Sequence, residues 1–123
     1  MPVALSSDEI QRCLNAISDS DSVVIDVETS GLDKHRNFIC GYVFTVAPEQ
    51  SWYLPIRHKD GGNVEGVRIP EDPHDFDPDC DEHPLESELR FILEDPDKHF
   101  IGHNIKYDLH MLARHRIFVQ GTV

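Results

Sequence analysis

Two acidic residues with one residue between them close a β-branched run, and their types and spacing could do chemistry. In SVVIDVET, residues 22–29, the two-residue period of a strand puts Asp26 and Glu28 on one face and turns Val27 into packing on the other. Two ionised carboxylates so close repel, so the pair calls for a divalent cation or for one carboxyl with a raised pKa. Oxygen-only ligands suit Mg2+ or Mn2+ better than softer metals. By itself, Asp-x-Glu more often describes a strand that ends in two exposed acids than a metal site, and the neighbouring residues must separate the readings. After the pair comes TSGLD, a turn around Gly31 with a lone Leu32 just beyond it. Far downstream, GHNIKYDLHML places Asp108 in the first turn of the last helix.

The elements that must position these residues follow from periodicity. Ser6 and Glu9 match a capping box, and Ile10, Leu14 and Ile17 recur at helical spacing, which predicts a helix over about residues 7–18. FICGYVFTVA and SWYLPI, joined to SVVIDVETS and to each other by short turns, predict the second and third strands of an antiparallel meander. Pro84 can open a helix over LESELRFILED, whose Leu85, Leu89, Ile92 and Leu93 form one apolar stripe. KHFIGHN reads as a short strand, and IKYDLHMLARHRI as a helix with Ile105, Leu109 and Leu112 on its inner face. The expected order is α, β, β, β, α, β, α.

Length and charge set the outer bounds. A chain of 123 residues is a single domain over 1–123, and no apolar run is long enough to span a bilayer, so no membrane partner is expected. The N-terminus lacks a secretory pattern, and Cys13, Cys40 and Cys80 form no C-x-x-C pair, which fits a reducing, cytoplasmic setting. The formal net charge of -12 argues against a broad basic surface for nucleic acid. That charge is local, because residues 71–97 hold 12 of the 23 acids and one of the 11 Lys and Arg. The Pro-rich acidic span 58–83 is expected to be a solvated surface loop that folding does not need.

Together, DVETSGLD and GHNIKYDLHML resemble the first and second motifs of the DEDD 3′ to 5′ exonucleases. The nearest likeness is to the proofreading domain of family A DNA polymerases, and it covers the chain from about Val23 to Ile117. The resemblance implies an α/β, ribonuclease H-like mixed sheet: a three-stranded antiparallel meander plus a parallel strand, with flanking helices. It implies Asp26, Glu28 and Asp108 as catalytic ligands of two Mg2+ or Mn2+ ions. Thr29, Leu32, His103, Asn104 and Tyr107 would hold the 3′ end of a single-stranded DNA, Leu32 as a wedge against the terminal base. The reaction implied is two-metal hydrolysis of the terminal phosphodiester, releasing nucleoside 5′-monophosphates. A third motif of this family, Tyr or His, three residues, then Asp, has no counterpart here. The expectation is therefore a C-terminally truncated domain with weak metal binding and little turnover by itself, whose partners include the remainder of a polymerase-like chain and, through an exposed sheet edge, a second copy. An RNA-trimming relative similar to RNase D is the alternative enzyme, and a non-catalytic domain that binds nucleic-acid ends the alternative class.

Other residues invite competing readings. Asp75, Asp77, Asp79, Asp81 and Glu86 fall at positions 1, 3, 5, 7 and 12 of an EF-hand-like frame, but Cys80 stands where the turn needs Gly, and prolines interrupt the path. His99 with His103, and His110 with His115, do not make H-x-x-x-H on one helical face. Trp52 and Tyr53 are read as sheet packing rather than as a platform for stacking bases.

Overall fold

The computed structural model describes residues 3–30, 38–48, 50–58, 62–64, 76–77 and 82–121. Four strands form one mixed sheet in the order β3-β2-β1-β4: β1 is Ser22–Thr29, β2 Ile39–Ala47, β3 Gln50–Pro55 and β4 His99–Ile101. β1 and β2 pair antiparallel, as do β2 and β3, whereas β4 runs parallel to β1 with Val23 beside Phe100. The helices are α1 (Ser7–Asp19), α2 (Pro84–Leu93) and α3 (Ile105–Arg114), so the order matches the periodicity. None is long and apolar enough, among the described residues, to cross a membrane.

Strand alternation divides the sheet into a core face and an acidic face. Val23, Ile25 and Val27 of β1 are buried, with Tyr42 and Phe44 of β2 and Leu54 of β3 beside them in register. Cys13, Leu14 and Ile17 of α1 and Leu89 and Leu93 of α2 complete that core. Asp26 and Glu28 point from the opposite face and are exposed, with Tyr53 of β3 on the same side. β4 pairs with β1 only as far as Val24, so beyond it the backbone of β1 is open to α3.

Helix ends follow their capping chemistry, with one exchange. The Ser6 hydroxyl accepts from the Glu9 N–H at 3.2 Å, but the Glu9 carboxylate takes Arg12 at 3.2 Å instead of closing the reciprocal bond. The full capping box stands at α2, where His83 Nδ1 accepts from the Leu85 N–H at 3.1 Å and Glu86 accepts from the His83 N–H at 2.9 Å. α1 has no basic residue in its last turn. Its end is met from outside, by the buried Lys98, whose Nζ donates to the carbonyls of Ile17 at 2.8 Å, Ser18 at 3.2 Å and Ser20 at 2.5 Å.

Two expectations change here. The innermost stripe of α3 is Asp108, Met111 and Leu112, continued by His115 just past its end, with Ile105 and Leu109 only half-buried. Polar groups can occupy that face because partners wait opposite: the Ile39 N–H donates to His115 Nε2 at 2.8 Å, and Asp108 accepts from the backbone of Val27. The described residues of 58–83 hold no helix or strand, as a loop should, yet the span is not solvated throughout, because Phe76 and His83 are buried. Phe76 stacks on Phe38 with centroids 5.7 Å apart and lies 4.5 Å from the His115 ring, with the Arg57 and Arg114 guanidinium groups over its ring.

Candidate active site

Asp26 reaches the site by strand alternation and Asp108 by helix docking. α3 begins directly after β4, and Gly102 in the connection lets it come close. A Cβ at Gly102 would sit 3.1 Å from Asp108 Oδ2 and 3.2 Å from the Ile25 carbonyl, tighter than packing allows without a shift. Asp108 is thereby pressed onto the edge of β1 that β4 leaves open. Burial, and then the neighbouring Asp26 charge, raise its pKa from 3.8 to about 6, partly offset by the Val27 N–H. Its Oδ2 is buried without a hydrogen-bond partner among the described residues. An orphaned carboxylate oxygen on a residue that feels the charge of a second carboxylate is a donor set a hard cation fits.

Glu28 looks elsewhere. Tyr53 donates its hydroxyl to Glu28 Oε2 at 3.3 Å, reaching diagonally across β2. Gly41 makes that reach possible: it lies opposite Glu28 on one side and Pro55 on the other, and a Cβ there would be 2.5 Å from the Tyr53 oxygen. Next to it the β1–β2 register slips, Glu28 facing Gly41 but Thr29 facing Ile39, so Cys40 is the extra residue of a bulge beside the acids. Burial and then the Glu28 charge push the Tyr53 hydroxyl well above its ordinary pKa, which keeps it a donor. Among the described residues, no three His, Cys, Asp or Glu side chains converge closely enough to cage an ion. The all-oxygen donors present are the Asp26 and Asp108 carboxylates, with Glu28 farther along the strand.

The residues expected to hold substrate divide in the same way. The Thr29 hydroxyl and the Tyr107 hydroxyl are 2.8 Å apart, which brings the end of β1 against α3 beside the acids. His103 and Asn104 are exposed at the start of α3, and the Asn104 side chain makes no capping bond, so both are turned to solvent. Leu32 lies outside the described residues, as do Asp75, Asp79 and Asp81 of the EF-hand-like frame. Glu86, the last position of that frame, is buried and bonded to Arg57, Tyr42 and the His83 N–H, so it cannot close a calcium loop. Reading Tyr53 as sheet packing missed its hydroxyl, which serves the acidic face; only the strand register reveals it.

Comparison with known proteins bears on the family and the fold. A family described as 3′-5′ exonuclease matches residues 3–123. DNA polymerase I of Pseudomonas aeruginosa is 27% identical over 111 residues, covering 90% of this chain and 11% of that protein. Among solved structures, Brucella melitensis NrnC superposes with a TM-score of 0.52 at 23% identity, over 82% of this chain and 37% of that one. Escherichia coli RNase D, described as an exoribonuclease involved in structured RNA processing, gives 0.52 at 15% identity, over 89% and 22%. These likenesses show the ribonuclease H-like fold. The chain spans about a tenth of the polymerase's length and well under half of either structure.

Proposed function

The chain belongs to the 3′-5′ exonuclease family, and from that premise we propose that it acts at the 3′ end of single-stranded DNA with Mg2+ or Mn2+, hydrolysing the terminal phosphodiester. The observation that carries the metal reading is the buried, unpartnered Oδ2 of Asp108 beside Asp26. Asp26 and Asp108 would hold an ion between β1 and α3, and Glu28 would complete its oxygen donors from the same strand face. Bound there, divalent ions supply Lewis acidity, which activates water and offsets charge on the leaving oxygen. Thr29 and Tyr107, joined at 2.8 Å, form the wall against which the terminal nucleotide is oriented. His103 and Asn104 offer polar groups to the adjoining phosphate or base, and Leu32 is assigned the terminal base. A local charge near neutral outside residues 71–97 suits a surface that meets phosphate through cations.

DNA is preferred because the polymerase relative is matched in sequence over 90% of this chain. The likeness to RNase D, and to NrnC in a complex with pGG, makes short single-stranded RNA the competing substrate. The test of the metal site is a Mn2+ titration of the chain followed by amide resonance broadening. Asp26, Glu28 and Asp108 should broaden first, and Asp26→Ala should abolish that early effect. Broadening that begins in residues 75–86 and spares the strand would overturn the assignment.

A further inference from the structure

Tyr53, His58 and Asn63 form a chain of contacts that ends on Glu28, and no part of the reaction proposed above requires it. Tyr53 has one proton and donates it to Glu28 Oε2 at 3.3 Å. Its oxygen also hydrogen-bonds His58 Nε2, so His58 must carry its proton on Nε2 and donate. The two rings meet edge to face with centroids 5.6 Å apart, which fixes the imidazole as well as its hydrogen bond. His58 is held in turn by Asn63, whose side-chain amide pairs with its backbone: the His58 N–H donates to Oδ1 at 2.6 Å, and Nδ2 donates to the His58 carbonyl at 2.8 Å. The Val64 N–H, donating to the Pro55 carbonyl at 2.8 Å, anchors that segment to the end of β3.

We propose that Tyr53 is a positioning residue for Glu28, with His58 orienting its hydroxyl so that the Glu28 carboxylate is held rotated for a divalent ion. The need for it follows from exposure. Glu28 stands on an open sheet face, where a free glutamate samples several rotamers, and ordering it on metal binding costs affinity. A donor fixed on β3, across β2 from Glu28, removes that cost beforehand, as outer partners do for metal ligands generally. Gly41 is the concession the backbone makes to this arrangement, since any side chain there would occupy the path of the tyrosine ring.

The inference rests on Glu28 being a metal ligand, so the experiment separates the two. Mn2+ affinity of the full 123-residue chain is measured by electron paramagnetic resonance titration, with thermal unfolding recorded in parallel. Tyr53→Phe removes one oxygen and leaves the ring over Gly41; it should weaken Mn2+ binding about tenfold while leaving the melting temperature nearly unchanged. His58→Leu should weaken it similarly, His58→Gln should restore it through its own N–H, and the Tyr53→Phe, His58→Leu pair should be no worse than Tyr53→Phe alone. Glu28→Gln should lose more affinity than any of these. Unchanged affinity in Tyr53→Phe, with Glu28→Gln impaired, overturns the positioning role and leaves the proposed function standing. Unchanged affinity in Glu28→Gln overturns both.

Discussion

Among the described residues two carboxylates have left solvent, Asp108 and Glu86, and their surroundings drive them in opposite directions. Asp108 meets a like charge and one backbone N–H, and keeps an oxygen with no partner. Glu86 is 0% exposed and fully engaged: both oxygens take the Arg57 guanidinium, the Tyr42 hydroxyl donates to Oε2 at 2.5 Å, and the His83 N–H donates to Oε1 at 2.9 Å. Burial alone would raise its pKa, but the hydrogen bonds from His115 and Arg57, with the Arg57 charge, hold Glu86 well below the usual carboxylate range. His115 is itself kept neutral, by burial first, and its Nε2 accepts the Ile39 N–H, so the proton sits on Nδ1, 2.9 Å from Glu86. Burial therefore does not mark a functional acid here. What distinguishes the two is whether the protein has spent its donors on the carboxylate or left it for something else.

The comparison is broken most strongly by removing a partner of Glu86. Arg57→Ala leaves a buried charge uncompensated and should cost about 3–5 kcal/mol of stability in urea unfolding, whereas Arg57→Met paired with Glu86→Leu should recover much of it. A loss under 1 kcal/mol for Arg57→Ala would mean that this cluster is not what braces α2 against β2. Phe76→Ala is next. Replacing the ring that covers Arg57 and His115 should cost about 3 kcal/mol by the same measurement, and deleting 71–82 should cost at least as much, which an acidic solvated loop would not.

The smallest effect has the opposite sign. Asp108→Asn should stabilise the metal-free chain by about 1–2 kcal/mol at pH 7, because a pKa raised from 3.8 to about 6 is a penalty on the charged folded state. The pH dependence sharpens the contrast. Asp108 binds its proton more tightly when folded, so its contribution is complete below pH 3.8 and is lost as pH rises through about 6. Glu86 and His115 run the other way: the His115 contribution fades as pH falls below 6.5, and that of Glu86 as it falls below 4.5. Urea midpoints between pH 4 and 7 should therefore rise more steeply with pH in Asp108→Asn than in the parent chain. Parallel profiles would show that Asp108 is not strained.

Period and spacing made most of the fold legible. The β-branched run of β1, the leucine stripe of α2 and the short strand before α3 each carry their own local pattern. The shared face of Asp26 and Glu28 was readable from alternation, whereas Asp108 joined them only through the resemblance of GHNIKYDLHML to a known motif. Tyr53 was not, because its role depends on lying diagonally across Gly41 from Glu28, a matter of register between strands. Phe76 was hidden by the acids and prolines around it, since composition describes a segment and its burial is decided by one ring. Glu86 was legible only as the last acid of an EF-hand-like frame, because its four partners come from β2, the second residue after β3, the turn before α2 and the end of α3. Such many-sided contacts leave no period in a sequence.

The Lys98 clamp on α1 bears on the order in which the molecule can assemble. The last carbonyls of α1 find their donor 78 to 81 positions farther along the chain, at the entrance to β4. Until β4 docks beside β1, the Ser20 hydroxyl caps only the Ala16 carbonyl, and the Ile17 and Ser18 carbonyls have only water for a partner, so this end is free to fray. Closing so long a loop is slow compared with forming a helix or a hairpin, though its entropic cost grows only with the logarithm of its length. Of the three helices described, the one earliest in this sequence is thus among the last to be finished, and the meander between must find its own register first.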